Sequence, residues 1–267
     1  MRRHEWHGHI RRGWRQRSRR GMSLFGNIAA AFGWLSIVPV TPRADSRPAR
    51  WFPLVGWLFG GIGAAMAWIA GRLGVGVLGA LLTGALVMAV WAAMSRLLHW
   101  DGVADTADGL LGGHDPERRL EIMHDSLTGA FGAAAIVIGM LLQALALGAL
   151  VASGEIWGII AAPVLGRFAA TAGLWTLRPA RAEGLAAQLA IGEGWLAWMT
   201  AIAICTPLLL AFTPIHAIIV LTGFAAAVIV PRMLARPVGG ISGDLLGASV
   251  VIVEVLVLVI SALSAGV

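Results

Sequence analysis

Long apolar stretches separated by short polar ones dominate the chain. Seven of them, at 53–70, 74–95, 130–153, 156–177, 195–213, 214–231 and 245–263, come close to or exceed the length that crosses a bilayer as a helix. An eighth, at 24–38, is shorter and runs into Pro39 and Pro42, which break a helix. The pattern predicts an all-α polytopic membrane bundle of about seven transmembrane helices. The 24–38 segment is expected to be re-entrant or interfacial, because arginines flank it on both sides.

Composition agrees. Mean hydropathy is +0.80, and only 13% of residues are charged. All 20 basic residues are Arg. With no Lys there is no Schiff-base chemistry and no Walker A loop. The single cysteine, Cys205, lies in an apolar run and reads as a small buried hydrophobe. The net charge of +6 is deceptive: residues 1–20 hold eight Arg and one Glu, and the rest of the chain is nearly balanced. The basic character is thus a tail suited to anionic lipid, not a nucleic-acid groove, and no nucleic-acid partner is expected. The expected division is an Arg-rich tail at 1–22 and one membrane-embedded catalytic domain at 23–267, with Met22 an alternative start.

Arginine placement orients the bundle. Counting seven spans, the loops at 96–129, 178–194 and 232–244 share the cytoplasmic side, with Arg96, Arg118, Arg119, Arg178, Arg181, Arg232 and Arg236. The opposite loops carry little beyond Arg72 and Glu155, and the C-terminus falls outside. Seven of the fourteen acids lie between 101 and 125. Polar chemistry gathered on one face suits a membrane enzyme with cytoplasmic substrates better than a transporter, which needs polar groups near the midplane.

Three constellations carry the chemistry. Asp101, Asp105 and Asp108 recur at i, i+4 and i+7, within about 60° on a helix. Such a stripe either binds a divalent cation such as Mg²⁺ or Mn²⁺ or suffers mutual repulsion. Gly102 and Gly109 beside it allow close approach. Residues 121–132 add Glu121, Asp125, Ser126, Thr128 and Gly129, able to meet a phosphate where the next span begins. Residues 239–247, with Gly240 and Asp244, read as a glycine-rich cradle for phosphate or metal, or as an ordinary capped helix start. His99, two residues before Asp101, is a candidate general base. Arg167 and Glu254 lie inside predicted spans, where a charge is costly. They either pair with each other or place Arg167 on a substrate phosphate. Gly74 to Gly79 matches G-x-G-x-x-G but sits in a membrane helix, so it reads as close packing.

The run HWDGVADTADGL at 99–110 resembles the signature of the cobalamin synthase family, the adenosylcobinamide-GDP ribazoletransferases. LEIMHDSLTG at 120–129 and GGISGDLLGA at 239–248 extend the likeness, as do FPLVGWLFG at 52–60 and RAEGL at 181–185. The tail before residue 22 lies outside the family pattern. Before Pro39 the chain reads Ser-Ile-Val, where the family usually carries Arg or Thr-Arg.

The resemblance implies an integral enzyme of the bacterial cytoplasmic (inner) membrane. It joins adenosylcobinamide-GDP to α-ribazole or its 5′-phosphate, releases GMP and depends on Mg²⁺. On that footing Asp101, Asp105, Asp108, Asp125 and Asp244 are the expected metal ligands. His99, with the acids at 101, 105, 108 and 125, makes up the catalytic set. Arg96, Arg118, Arg119, Ser126, Arg167, Gly240 and Asp244 are the expected substrate contacts, and the ribazole 5′-hydroxyl is the expected nucleophile. Membrane lipid is a further partner, and a homo-oligomer is left open. The competing readings are a CDP-alcohol phosphotransferase and a cation or corrinoid transporter.

Overall fold

A computed structural model describes residues 24–43, 46–189, 194–210 and 213–265; the Arg-rich tail at 1–22 lies outside the described residues. Every described element is helical. The α-helices, in order, are α1 (Leu24–Leu35), α2 (Phe52–Arg72), α3 (Val77–Met94), α4 (Leu98–Gly112), α5 (Pro116–Met123), α6 (Ala130–Ser153), α7 (Trp157–Thr176), α8 (Leu185–Leu189), α9 (Trp195–Cys205), α10 (Pro214–Ala235) and α11 (Gly243–Ser264). Six segments among the described residues are long and apolar enough to span a membrane: Ala49–Arg72, Val77–Met94, Ala130–Ser153, Trp157–Thr176, Pro214–Val238 and Gly243–Ser264.

The expected seventh span, 195–213, is a shorter piece. Its α-helix stops at Cys205, and Thr206–Leu210, with Pro207, continues as a tighter 3₁₀ turn. Pro207 lacks the N–H that would carry the α-helical ladder onward. The 24–38 segment is likewise a short helix, ending at Leu35 ahead of Pro39.

Helix α7 is the buried centre, packed by α2, α10 and α11, while α3 pairs with α6. Glycines permit these approaches. A Cβ at Gly56 would collide with the Pro163 carbonyl, one at Gly60 would lie 2.8 Å from Ile160 Cα, and one at Gly84 would collide with the Gly148 amide. Small residues serve helix association in lipid because hydrocarbon supplies no hydrophobic drive between helices. The outward faces of α3 and α6 expose Leu78, Leu82, Leu86, Val137, Ile138 and Leu141, side chains that suit lipid and not water. Gly84→Leu is therefore expected to lower the melting temperature in detergent sharply, at a cost of about 1–3 kcal/mol or more. Gly61→Leu, where a Cβ meets nothing within 4 Å, should leave it unchanged.

Two loops close one end of the bundle. The Ala180 amide donates to the Ile241 carbonyl at 2.9 Å, and the Ile241 amide to the Arg178 carbonyl at 2.9 Å. The chain between them, from α8 through α10, therefore leaves that end and returns to it. The loops that positive charge assigns to one side are thus neighbours in space.

Candidate functional site

Helix α4 starts abruptly. Arg96 and Leu97 both adopt left-handed backbone, with φ of 55° and 59°. Two adjacent non-glycine residues in that region are strained, and such strain persists only where surrounding structure holds it. The turn re-aims the chain after α3, so that α4 runs along α11 and the first turns of α6. Gly102 makes the α4–α11 contact, because a Cβ there would lie 2.6 Å from the Asp244 carbonyl oxygen. The acidic face of α4 is thereby brought to the N-terminus of α11, where Ser242 caps the helix through a 3.2 Å bond from Leu245 N.

A cavity of about 500 Å³ opens at this junction. Its polar lining comprises His99, Asp101, His124, Arg181, Glu183, Ser242 and Asp244; Leu35, Phe52, Leu185 and Val250 stand among its apolar walls. Asp105, one turn beyond Asp101, is half-buried behind the lining. Burial, followed by the charges of Asp101, Asp244 and Asp108, pushes its carboxyl up to about 7. That ordering places four acids within electrostatic reach, although among the described residues no three metal-capable side chains converge at ligand spacing. His99 is 5% exposed, and its Nε2 has no hydrogen-bond partner among the described residues. Burial, then the positive charge of Arg167, holds its imidazole well below the ordinary histidine range, so it is neutral at pH 7.

Several expected site residues are placed elsewhere. Asp108 is buried, and its oxygens accept from Gly129 N at 2.7 Å and Gly132 N at 2.9 Å. It caps α6 from a neighbouring helix, each oxygen taking one amide, and it is not in the cavity lining. Asp125 is exposed and caps its own loop by accepting from Leu127 N, and Ser126 beside it is exposed as well. Arg96 reaches the Gly33 carbonyl. Arg118 pairs with Glu121 on the surface. Arg119 ties α5 to the carbonyls of Gly113 and Pro237. Arg167 is buried against Glu254, with its guanidinium over the Phe59 ring at 4.2 Å, and does not line the cavity. Gly240 packs against the Ala180 backbone and is not in the cavity lining, which the same loop reaches through Ile241 to Asp244. Asp101, Asp244 and His99 do meet at the cavity, with Asp105 close behind.

Arg181, Glu183, His124 and Ser242 line the cavity without having been singled out as site residues. For the first two the signal was present: RAEGL sets two opposite charges and a glycine in an otherwise apolar stretch. Arg181 donates to the Leu120 carbonyl and acts on Asp244, so it is the guanidinium of this cavity.

The fold and cavity define a polytopic helical membrane protein with carboxylates and one arginine facing a pocket at one end of its bundle. The chain belongs to the cobalamin-5-phosphate synthase family, whose profile matches residues 27–262. It is 37% identical over 239 residues to the adenosylcobinamide-GDP ribazoletransferase of Ralstonia pickettii, covering 85% of this chain and 91% of that one. Proteins of the same name from Syntrophobacter fumaroxidans and Prosthecochloris aestuarii are 37% and 36% identical, covering 82% and 88% of this chain and 88% and 96% of theirs. No solved structure matches.

Proposed function

We propose that this chain is an adenosylcobinamide-GDP ribazoletransferase of cobalamin biosynthesis that works at the α4–α11 cavity with Mg²⁺. The bacterial inner membrane would hold it, with the cavity facing the cytoplasm, where the arginine-bearing loops belong. One observation carries the reading: Asp101 and Asp244, from different helices, face one cavity with Arg181, and their charges act on Asp105.

The donor set fits a hard divalent cation. Asp101, Asp105 and Asp244 offer oxygen only, and their mutual repulsion is what a dication relieves. Mg²⁺ commonly keeps few protein carboxylates and completes its shell with water and substrate phosphate, so a site with fewer than three converged side chains suits it. When bound, Mg²⁺ supplies charge neutralisation to the diphosphate.

The chain's own residues do the rest. Arg181 faces the phosphate oxygens with a fork of N–H donors. A ribose hydroxyl attacks the phosphorus on the cobinamide side; the new P–O bond forms as the anhydride bond to GMP breaks. A product that keeps a 5-phosphate has its 5′-oxygen already esterified. The nucleophile is therefore a secondary ribose hydroxyl, which revises the expected 5′-hydroxyl. His99, neutral and with a bare Nε2 in the lining, accepts the proton. His99→Ala is expected to lower kcat by about 10²–10⁴-fold while substrate binding, measured by equilibrium dialysis, changes little.

The reading is tested with purified protein in detergent given adenosylcobinamide-GDP, α-ribazole 5′-phosphate and Mg²⁺. GMP release matched to a new corrinoid product, and abolished by chelator, is the expected result. A lipid product from a CDP-activated alcohol, or solute flux without chemical change, would overturn it.

A further inference from the structure

The described acids divide by what occupies them. Asp108, Asp115 and Asp125 accept from backbone amides, and Ser242 donates to Asp244. Glu121, Glu155 and Glu254 have cationic or histidine partners. Asp101 and Asp105 form the repelling pair on α4, joined by Asp244. Glu117 lies on α5, outside the cavity lining. Glu183 is left: it lines the cavity, and its carboxylate has no hydrogen-bond or ion-pair partner among the described residues. It is also absent from the charges that act on Asp105, so it stands apart from the acid cluster.

The loop holding Glu183 is anchored. Its base is pinned by the two amide bonds between 178–180 and Ile241, and Arg181 is tied to the Leu120 carbonyl. Gly184 turns the chain beside it with φ of 118°, and a Cβ there would meet nothing within 4 Å. Glu183 is exposed on this anchored loop, so its free carboxylate adjoins the open space beside Gly184, two residues from Arg181.

We infer that Glu183 reads the guanine base of the activated substrate. The inference rests on the transferase reading above. Guanine presents two adjacent donors, N1–H and the 2-amino group, on one edge, and a carboxylate's two oxygens match them with charge-assisted bonds. Adenine presents an acceptor where guanine has N1–H, and it is repelled. Hypoxanthine keeps N1–H and lacks the 2-amino donor. The nucleotide's phosphate then falls toward Arg181 and Asp244, and the apolar wall of Leu35, Phe52 and Val250 is free for the less polar base of the acceptor.

Binding of GMP, IMP and AMP to the full-length protein with Mg²⁺, by calorimetry, tests this. Wild type is expected to hold GMP about tenfold tighter than IMP and about 100-fold tighter than AMP. Glu183→Gln should shrink both ratios and Glu183→Ala should bring them near unity, with melting temperature unchanged because nothing in the fold uses this side chain. Equal binding of the three nucleotides by wild type, or ratios unmoved in both variants, overturns the assignment. Glu183-dependent guanine preference in a protein that releases no GMP from adenosylcobinamide-GDP would uphold this inference and remove the transferase reading. GMP release with ratios unmoved would do the reverse.

Discussion

Asp105→Asn is expected to abolish transfer and, in metal-free protein, to raise the melting temperature at pH 8. The two effects share one cause. In the unfolded chain this carboxyl titrates near 3.8, and in the folded protein at about 7. Between those values the folded state holds a proton that the unfolded state has lost, so stability falls as pH climbs through the window. Below pH 4 both states are protonated and the contribution is complete. Above pH 7 the folded carboxyl is ionised in its half-buried place and against Asp101, Asp244 and Asp108, and the contribution is gone. An amide cannot ionise, so Asn removes both the cost of burying this charge and its share of the repulsion. Because the side chain is only half-buried, solvent screening cuts the gain to about 1–2 kcal/mol. For a chain of this size that is roughly 2–8 °C.

The gain should vanish below about pH 4, where wild type and variant carry the same charge. Mg²⁺ should stabilise wild type more than the variant, since Asn removes one of the three carboxylates that the dication neutralises. Turnover should fall by about 10²–10³-fold or more, the scale of removing one preorganised electrostatic group from a transition state. A variant that is active at saturating Mg²⁺, or no more stable than wild type at pH 8, would take Asp105 out of the site.

Helical periodicity was enough to put Asp101, Asp105 and Asp108 on one stripe, and the structure keeps them there. What periodicity does not encode is which neighbour each position meets. The α4 stripe passes the N-terminus of α11 and then that of α6, so Asp101 joins a cavity while Asp108 becomes a cap. The clue to Asp108 was on the other helix. Gly129 and Gly132 stand one turn apart, and a Cβ on either would collide with its carboxylate. Hydropathy also gives no sign that the α-helix within 195–213 stops at Cys205, because an apolar average is blind to the missing amide of Pro207. The cavity wall at Arg181 and Glu183 depends on two amide bonds between loops some sixty residues apart. No local pattern announces such a pairing.

Arg167 and Glu254 give the largest expected change in stability. Both are buried in spans beside the cavity, where Ala170 and Val250 lie one turn along their respective helices. Gln143 donates to the second Glu254 oxygen at 3.3 Å, and Phe59 covers the guanidinium. Arg167→Met would leave a carboxylate in an apolar interior without its cation, at a cost of about 3–5 kcal/mol, enough to deplete folded protein in detergent. Replacing both charges, Arg167→Met with Glu254→Met, should recover most of that loss. Two uncharged side chains of similar bulk avoid the desolvation that the ion pair has to overcome. The double variant separates the two roles open to Arg167. If the pair is structural, the folded double variant keeps GMP release of the same order as wild type. Burial, the larger cause, still holds His99 neutral after the arginine's charge is gone. A double variant that melts like wild type yet releases no GMP would put Arg167 back on the substrate, and the ion pair seen here would then be the resting partner it leaves when phosphate arrives.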